Sequence, residues 1–247
     1  MMRKFEAHKY KRLFEDWDDP VIRKHESDEI RLITSIKNSN KRTFVDLGAG
    51  YGRIIPYIAR KSLNVITIEI NPSMFYELKK RSLQYDNVKA MFGDITKLDS
   101  LMGGEKVVLP VFMLLENTLG TIEGNYKKVL GKIKKEVIKS KGDVVLSLYR
   151  QQAPRNWGIM TYWHGVEMNG EPDMERTDFR KGLFVSKTGY TSKWWTDKEI
   201  KDLKKFFGGK LIQEIIEDQY WVFHMSLSDQ PFLPSTFFQL PTLNTCR

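Results

Sequence analysis

The chain has 247 residues and a mass of 29.0 kDa, enough for one α/β domain with an appended cap or for two small domains, and 41% hydrophobic content supports a real core and excludes a disordered chain. A net charge of +9 with a pI near 9.4 favours an anionic partner without requiring one. The single cysteine, Cys246, excludes an internal disulfide and a cysteine-based metal site; the start M-M-R-K-F-E lacks a signal peptide's apolar core, and the longest apolar run, 107–115, is broken by Pro110, so a soluble cytoplasmic protein without a transmembrane segment is expected.

Residues 1–40 are expected to form an N-terminal helical segment. Two helices are predicted, over 6–17 and 28–36, separated near Pro20, with Ser27 or Asp28 capping the second and Ile30, Ile33 and Ile36 facing inward. The first mixes Tyr10, Phe14 and Trp17 with acids. Residues 43–52, T-F-V-D-L-G-A-G-Y-G, read as a buried strand and a tight turn, with a helix over 53–60. Glycines at 48, 50 and 52 let the backbone bend and let a ligand approach where a Cβ would collide. The helix that follows would aim its free N–H groups at the same place. The spacing is G-x-G-x-G, not the dinucleotide G-x-G-x-x-G, and Asp46 stands two residues before the first glycine. A carboxylate there repels a pyrophosphate and suits an ammonium or sulfonium.

This stretch resembles motif I of the class I S-adenosylmethionine-dependent methyltransferases, whose pattern is close to V-D-L-G-x-G-x-G. The resemblance implies S-adenosyl-L-methionine as cofactor, touched by Asp46, Gly48, Ala49, Gly50 and Gly52. It also implies an α/β fold: a Rossmann-like, mostly parallel seven-stranded sheet with helices on both faces, an antiparallel C-terminal hairpin and a cap insertion. Residues 65–70 read as the second strand, ending in Glu69, with Asn71-Pro72 opening a helix. An acid roughly 20 residues past the glycine turn is placed to accept both hydroxyls of a ribose. Residues 88–92 give a third strand followed by Gly93-Asp94-Ile95. The resemblance implies that Asp94 holds the adenine amino group while an apolar neighbour, Ile70 or Ile95, packs on the ring, and that the aromatic N-terminal segment with Tyr10 folds over the cofactor as a lid.

The fourth strand is expected over 106–113, followed by L-L-E-N-T-L-G. In the implied topology its C-terminal end faces the transferable methyl, which assigns Leu115 to the cofactor and the next residues to the acceptor. Glu116 is the candidate to hold a substrate amine and draw its proton, and Asn117 to orient it; Tyr10 and Tyr149 are further candidates. The string N-T-L-G resembles the corresponding loop of several small-molecule amine methyltransferases. It departs from the N-P-P-Y and D-P-P-Y tetrads of adenine amino-methyltransferases and from the Pro-Cys pair of cytosine C5 enzymes.

The next helix turns Tyr126, Val129, Leu130, Ile133 and Val137 inward, leaving the lysines of this segment, Lys127, Lys128, Lys132, Lys134, Lys135, Lys139 and Lys141, on the opposite, solvated side. A fifth strand over 142–149 leads into residues 150–195, rich in aromatics including Trp157, Tyr162, Trp163, His164, Tyr190, Trp194 and Trp195. So long an insertion is expected to be functional, a substrate cap within a methyltransferase domain of residues 41–227, with a hairpin over 182–193. Thr196 to Glu199 form a capping box opening a second lysine-rich helix, residues 210–217 and 219–227 form a closing antiparallel hairpin, and 228–247 are a tail. His164 reads as a packing and hydrogen-bonding residue of the cap or, as the alternative, a base near neutral pH, and His224 as structural. There is no internal repeat. The expected activity is N-methylation of a small amine or amino-acid-like substrate, because a cap walls a small acceptor from water. The alternatives are methylation of RNA or of a protein lysine, with RNA or an acidic protein held by the lysine-rich helices, and a module that holds the cofactor without catalysis.

Overall fold

The computed structural model describes residues 6–15, 19–122, 124–151, 158 and 165–228. The sequence expectations for Trp17, Trp157, Tyr162, Trp163, His164 and the tail beyond Ser228 lie outside the described residues. No helix among the described residues is long and apolar enough to cross a membrane.

A seven-stranded sheet carries the molecule. Its strands in chain order are β1 (Thr43–Leu47), β2 (Asn64–Glu69), β3 (Val88–Phe92), β4 (Val111–Leu114), β5 (Asp143–Tyr149) and, after a separate two-stranded hairpin of β6 (Leu183–Val185) and β7 (Thr191–Lys193), β8 (Lys210–Ile216) and β9 (Tyr220–Ser226). The order across the main sheet is β3-β2-β1-β4-β5-β9-β8. The first five pair in parallel, and β9 is antiparallel to both β5 and β8. The chain reverses between β1 and β4, so their carboxyl ends border the crevice where ligands bind in open α/β sheets.

Alternation along the strands divides the core. Val45, Phe112, Leu146 and Phe223 face one side, and Phe44, Met113, Val145 and Val222 the other. The first side is covered by α7 (Tyr126–Lys139), through Val129, Leu130, Ile133 and Val137, and by α9 (Asp197–Phe207), through Ile200, Leu203 and Phe207. The second is covered by α2 (Pro20–Thr34), α3 (Ile55–Ile58) and α4 (Pro72–Ser82). The remaining helices are short or peripheral: α1 (Ala7–Glu15), α5 (Leu98–Met102), α6 (Thr118–Thr121) and α8 (Val166–Asn169).

Three expectations need correction. Helix α2 starts eight residues earlier than the predicted 28, because Pro20 occupies its first turn while the Asp19 carboxylate accepts from the N–H groups of Val21 and Ile22. Proline opens this helix, and α1, which ends at Glu15, is separated from it just before Pro20, as the sequence predicts. Its buried stripe is Leu32, Ile33 and Ile36, with Ile30 only half-buried. Finally, the helix after the glycine turn is a single turn, Ile55–Ile58, so its dipole offers little to an anion. The capping box at Thr196 and Glu199 forms as its sequence predicts.

Candidate functional site

An open cleft of about 390 Å³ lies at the carboxyl edge of β1 and β4, lined by Asp46, the turn Gly48 to Tyr51, Arg53, Ile54, Leu115, Glu116, Thr118 and, from α1, Tyr10. The first wall is local in the chain. Gly48, Gly50 and Gly52 all have positive φ, which a glycine adopts at no steric cost. A Cβ on Gly48 would stand 2.6 Å from the Thr118 methyl, whereas at Gly50 it would meet nothing within 4 Å. The turn therefore packs tightly against α6 at one glycine and opens to the cleft at the next. Beneath it, Glu69 Oε2 accepts from Gly50 N at 2.8 Å, and Oε1 accepts from Ile70 N at 3.0 Å and Asn71 N at 2.8 Å. Burial raises the Glu69 carboxyl above its ordinary value.

The opposite wall is assembled from distant parts of the chain. Glu116 and Asn117 follow β4 with φ of 47° and 56°, a left-handed pair rare outside glycine and costly enough to need support. That support is specific: Glu116 N donates to Glu29 Oε1 at 2.8 Å and Asn117 N donates to Ser147 O at 3.1 Å. Strand parity puts Ser147 and Tyr149 of β5 on the same side as Val145, the side that α2 covers. There the Tyr149 hydroxyl donates to Glu116 Oε2 at 3.0 Å. His25 of α2 lies with Nε2 2.7 Å from Ser147 Oγ and 3.3 Å from Glu29 Oε1, and Nδ1 3.5 Å from Glu116 Oε2. Its ring stacks on Tyr220 at 4.2 Å. Arg53, just past the glycine turn, pairs with Glu29, with Glu26 at 3.3 Å, and with Glu116 Oε1 at 3.5 Å.

These groups are almost wholly buried, with side-chain exposures of 2% for His25, 0% for Glu29 and 10% for Glu116. Burial alone would push Glu29 up, but His25, Arg53 and its hydrogen bonds outweigh it and hold the carboxyl below the usual range. Glu116 is displaced upward, by burial and by the charge of Glu29, against the pull of His25 and Arg53. Burial also raises the Asp46 carboxyl, to about 7. Donor atoms of His25, Glu29 and Glu116 lie within 4.8 Å of one another, a spacing that could hold a metal ion. The Arg53 guanidinium already stands against both carboxylates and would repel one.

Strand order and crevice can now be set against known proteins. No family model matches the chain. Residues of the chain are 29% identical over 69 positions to the probable ribosomal RNA small subunit methyltransferase A of Methanosarcina acetivorans, a match covering 28% of this chain and 26% of that protein. The chain thus aligns with about a quarter of the curated relatives' length. Among solved structures, the CcbJ methyltransferase of Streptomyces caelestis superposes with a TM-score of 0.57 at 15% identity, over 87% of this chain and 94% of that one. The Burkholderia thailandensis 1,6-didemethyltoxoflavin-N1-methyltransferase, solved with its substrate and S-adenosylhomocysteine, gives 0.55 at 13% identity, over 90% and 87%. The chain has the class I methyltransferase fold.

Within the methyltransferase fold, the residues singled out from sequence fall into three groups. Asp46, Gly48, Ala49, Gly50, Leu115, Glu116 and Tyr10 are gathered around the cleft. Glu69 lies directly under it through Gly50, while Ile70, 48% exposed, and Asp94 and Ile95 stand farther along the same edge; Asp94 Oδ1 accepts from Thr96 N at 2.8 Å. Two residues are tied into the protein itself. Gly52 is a packing glycine, where a Cβ would come within 2.8 Å of Ile55 and Leu78 side chains. Asn117 is 1% exposed, and its amide is occupied within the protein: Nδ2 donates to Ser192 Oγ at 3.2 Å and Lys193 O at 2.9 Å, and Oδ1 accepts from Trp195 Nε1 at 3.0 Å and Tyr149 N at 3.3 Å. It fastens the β6–β7 hairpin to the sheet. Sequence reading missed His25, Glu29 and Arg53. A signal was available, since His25, Asp28 and Glu29 continue the helical spacing of Leu32, Ile33 and Ile36 backward along α2.

Proposed function

We propose that this chain is an S-adenosylmethionine-dependent methyltransferase acting on the nitrogen of a small amine or amino-acid-like substrate. The observation that carries the reading is a single cleft with an acid at each end: Glu69 beneath the open Gly50, and Glu116 in the facing wall. When bound, S-adenosylmethionine supplies a methyl group on a sulfonium, a good leaving group, so the protein's task is alignment and an unprotonated nucleophile. Glu69, Asp94 and a neighbouring apolar side chain serve the nucleoside, and Gly48 to Gly50 let it approach the backbone. Asp46 and Leu115 border the sulfonium. Glu116, held toward the cleft by the Tyr149 hydroxyl and by its own backbone bond to Glu29, binds the acceptor nitrogen and takes its proton. Tyr10 brings the α1 segment over the cleft as a lid; α1 is tied to α4 by Ala7 N donating to Ser73 Oγ at 2.9 Å and by Lys11 pairing with Glu77 at 2.8 Å. Trp194 and Phe184 of the hairpin region pack with Tyr149 and Tyr190, which supports a closed, aromatic acceptor side.

The rRNA methyltransferase relatives favour RNA as a second reading. The lysines give it little support. Lys132 is paired with Asp99 at 2.9 Å, Lys134 donates to Phe206 O, and Lys204 pairs with Glu214. The exposed Lys139, Lys141 and Lys210 gather at the start of β5 and the edge of β8, across the sheet from the cleft. Calorimetry is expected to show binding of S-adenosylmethionine and S-adenosylhomocysteine and none of NAD. Incubation with a methyl-labelled donor and cell extract is expected to label the small-molecule fraction. Absence of cofactor binding overturns the reading, and label confined to RNA or protein replaces the small acceptor.

A further inference from the structure

The acids behind Glu116 are out of balance. Glu26, Glu29 and Glu116 converge on one permanent cation, Arg53, and Asp46, 3% exposed, borders the same cleft. Arg53 is engaged chiefly with Glu29, the most deeply buried of the three. Glu116 Oε2 has the Tyr149 hydroxyl, but Oε1 is buried and has no hydrogen bond among the described residues, with Arg53 Nη2 at 3.5 Å. A buried carboxylate oxygen left in this state costs stability unless something with positive charge completes it. The strained left-handed backbone at Glu116, secured by Glu29, keeps that carboxyl at the cleft wall and not in solvent.

We propose that Glu116, backed by Glu29 and with Arg53 and His25 as positioning residues, forms a cation socket at the methyl end of the cleft, so that the protein binds a positively charged cofactor more tightly than the neutral one left after transfer. The inference rests on the cofactor reading above and goes beyond it. Methyl transfer turns a sulfonium into a thioether, removing one positive charge from beside Glu116. The interaction that favours the loaded cofactor is therefore lost in the product, and the spent cofactor is released by the chemistry itself. Burial and the charge of Glu29 raise the Glu116 carboxyl, and a cation arriving at the cleft wall would act against that rise.

No acceptor is needed to test this. S-adenosylmethionine and sinefungin, in which an amine-bearing carbon replaces the methylated sulfur, both carry positive charge at the transfer point; S-adenosylhomocysteine does not. Titration calorimetry on the full chain is expected to give both cations about tenfold tighter binding or more than S-adenosylhomocysteine, the effect of one opposite charge at close range. In Glu116→Gln the ratio is expected to fall toward one while S-adenosylhomocysteine affinity is kept, and Glu116→Asp, which retains the charge, is expected to keep most of it. Equal affinities in the native protein overturn the socket, as does a ratio unchanged by Glu116→Gln. Failure of all three ligands to bind the native protein overturns the cofactor reading instead, so the two outcomes are distinct. Should Glu116→Gln fail to fold, the native ratio and the Asp variant still decide.

Discussion

The two ends of the cleft are built in different ways. The nucleoside end is contiguous: β1, the glycine turn and the end of β2 lie within residues 43–71, and its key bond, Gly50 N to Glu69, joins neighbouring parallel strands. The transfer end draws His25 and Glu29 from α2, Arg53 from the turn, Glu116 from the end of β4 and Tyr149 from β5. Local backbone chemistry dictates the first. The second exists only once the sheet has its order and register, so it depends on the whole fold while the fold, through its buried charges, depends on it.

The largest expected effect follows from that mutual dependence. Glu29→Ala removes the partner of Arg53, the acceptor of the strained Glu116 N–H and a neighbour of His25, all inside the protein. Breaking one member of a buried charge cluster typically costs roughly 3 to 5 kcal/mol. Chemical denaturation is expected to show a loss of that size, against under roughly 1 kcal/mol for an exposed site such as Lys139→Ala. A loss below 1 kcal/mol for Glu29→Ala would mean that the transfer end is not coupled to the fold.

This contrast also explains how much was legible in advance. The strand-turn-strand unit with Asp46, Gly50 and Glu69 carries its meaning in spacing alone, and the closing hairpin is written in two β-rich runs. Glu116 was legible because its strand follows in known order. His25 and Glu29 were hidden because charged residues on a helix ordinarily mark its wet face. Only the parity that aims Ser147, Tyr149 and Tyr220 at α2 makes that stretch an interior surface. Asn117 has a role that spacing does not show: in the chain it is an amide beside the candidate base, and in the fold it anchors the β6–β7 hairpin.

The boundary between the two ends is Asp46, and its response is set by pH. Burial raises it from an ordinary 3.8 to about 7. The folded state then binds the proton over a window in which the unfolded chain has lost it, so stability falls as pH rises from about 4 to about 7 and the penalty is constant above. At 1.36 kcal/mol per pH unit, Asp46→Asn is expected to be more stable than the native protein by up to roughly 4 kcal/mol at pH 8 and by almost nothing at pH 4. Denaturation midpoints of both proteins at the two pH values check the sign. A gain independent of pH would place its origin outside the carboxyl.

At the transfer end, Glu116→Gln preserves shape and removes the base. Turnover at saturating S-adenosylmethionine is expected to fall about 100-fold or more, as general-base losses do. S-adenosylhomocysteine affinity is expected to stay within about threefold, a change under 1 kcal/mol. Near-normal turnover would remove Glu116 from the mechanism and leave Tyr10 and Tyr149 to be tested.

The smallest effect sharpens the comparison most, because it reverses that pattern. The Glu69 carboxylate holds three backbone N–H groups and lies under the open glycine, where the proposed reading puts the ribose, away from the transferred methyl. Glu69→Ala is expected to weaken S-adenosylhomocysteine and S-adenosylmethionine alike, by roughly 1.5 to 3 kcal/mol, the range for hydrogen bonds to a charged group. Turnover at saturating cofactor is expected to change little. The equality between the two ligands matters, since they share a nucleoside and differ only at sulfur. Part of the loss can come from the turn itself, because Gly50, Ile70 and Asn71 lose their acceptor in the variant. Glu69→Gln keeps one acceptor oxygen of two, so it can hold either Gly50 N or the N–H groups of Ile70 and Asn71 but not both, and its NH2 group can no longer accept from a ribose hydroxyl. If Gln restores the affinity lost in Ala, one acceptor for the turn is enough and the ribose does not need the carboxylate; if Gln is as weak as Ala for both ligands, both oxygens are needed at this end of the cleft. A Glu69→Gln variant that instead weakened S-adenosylmethionine alone would place this acid at the transfer end and erase the division between the two ends.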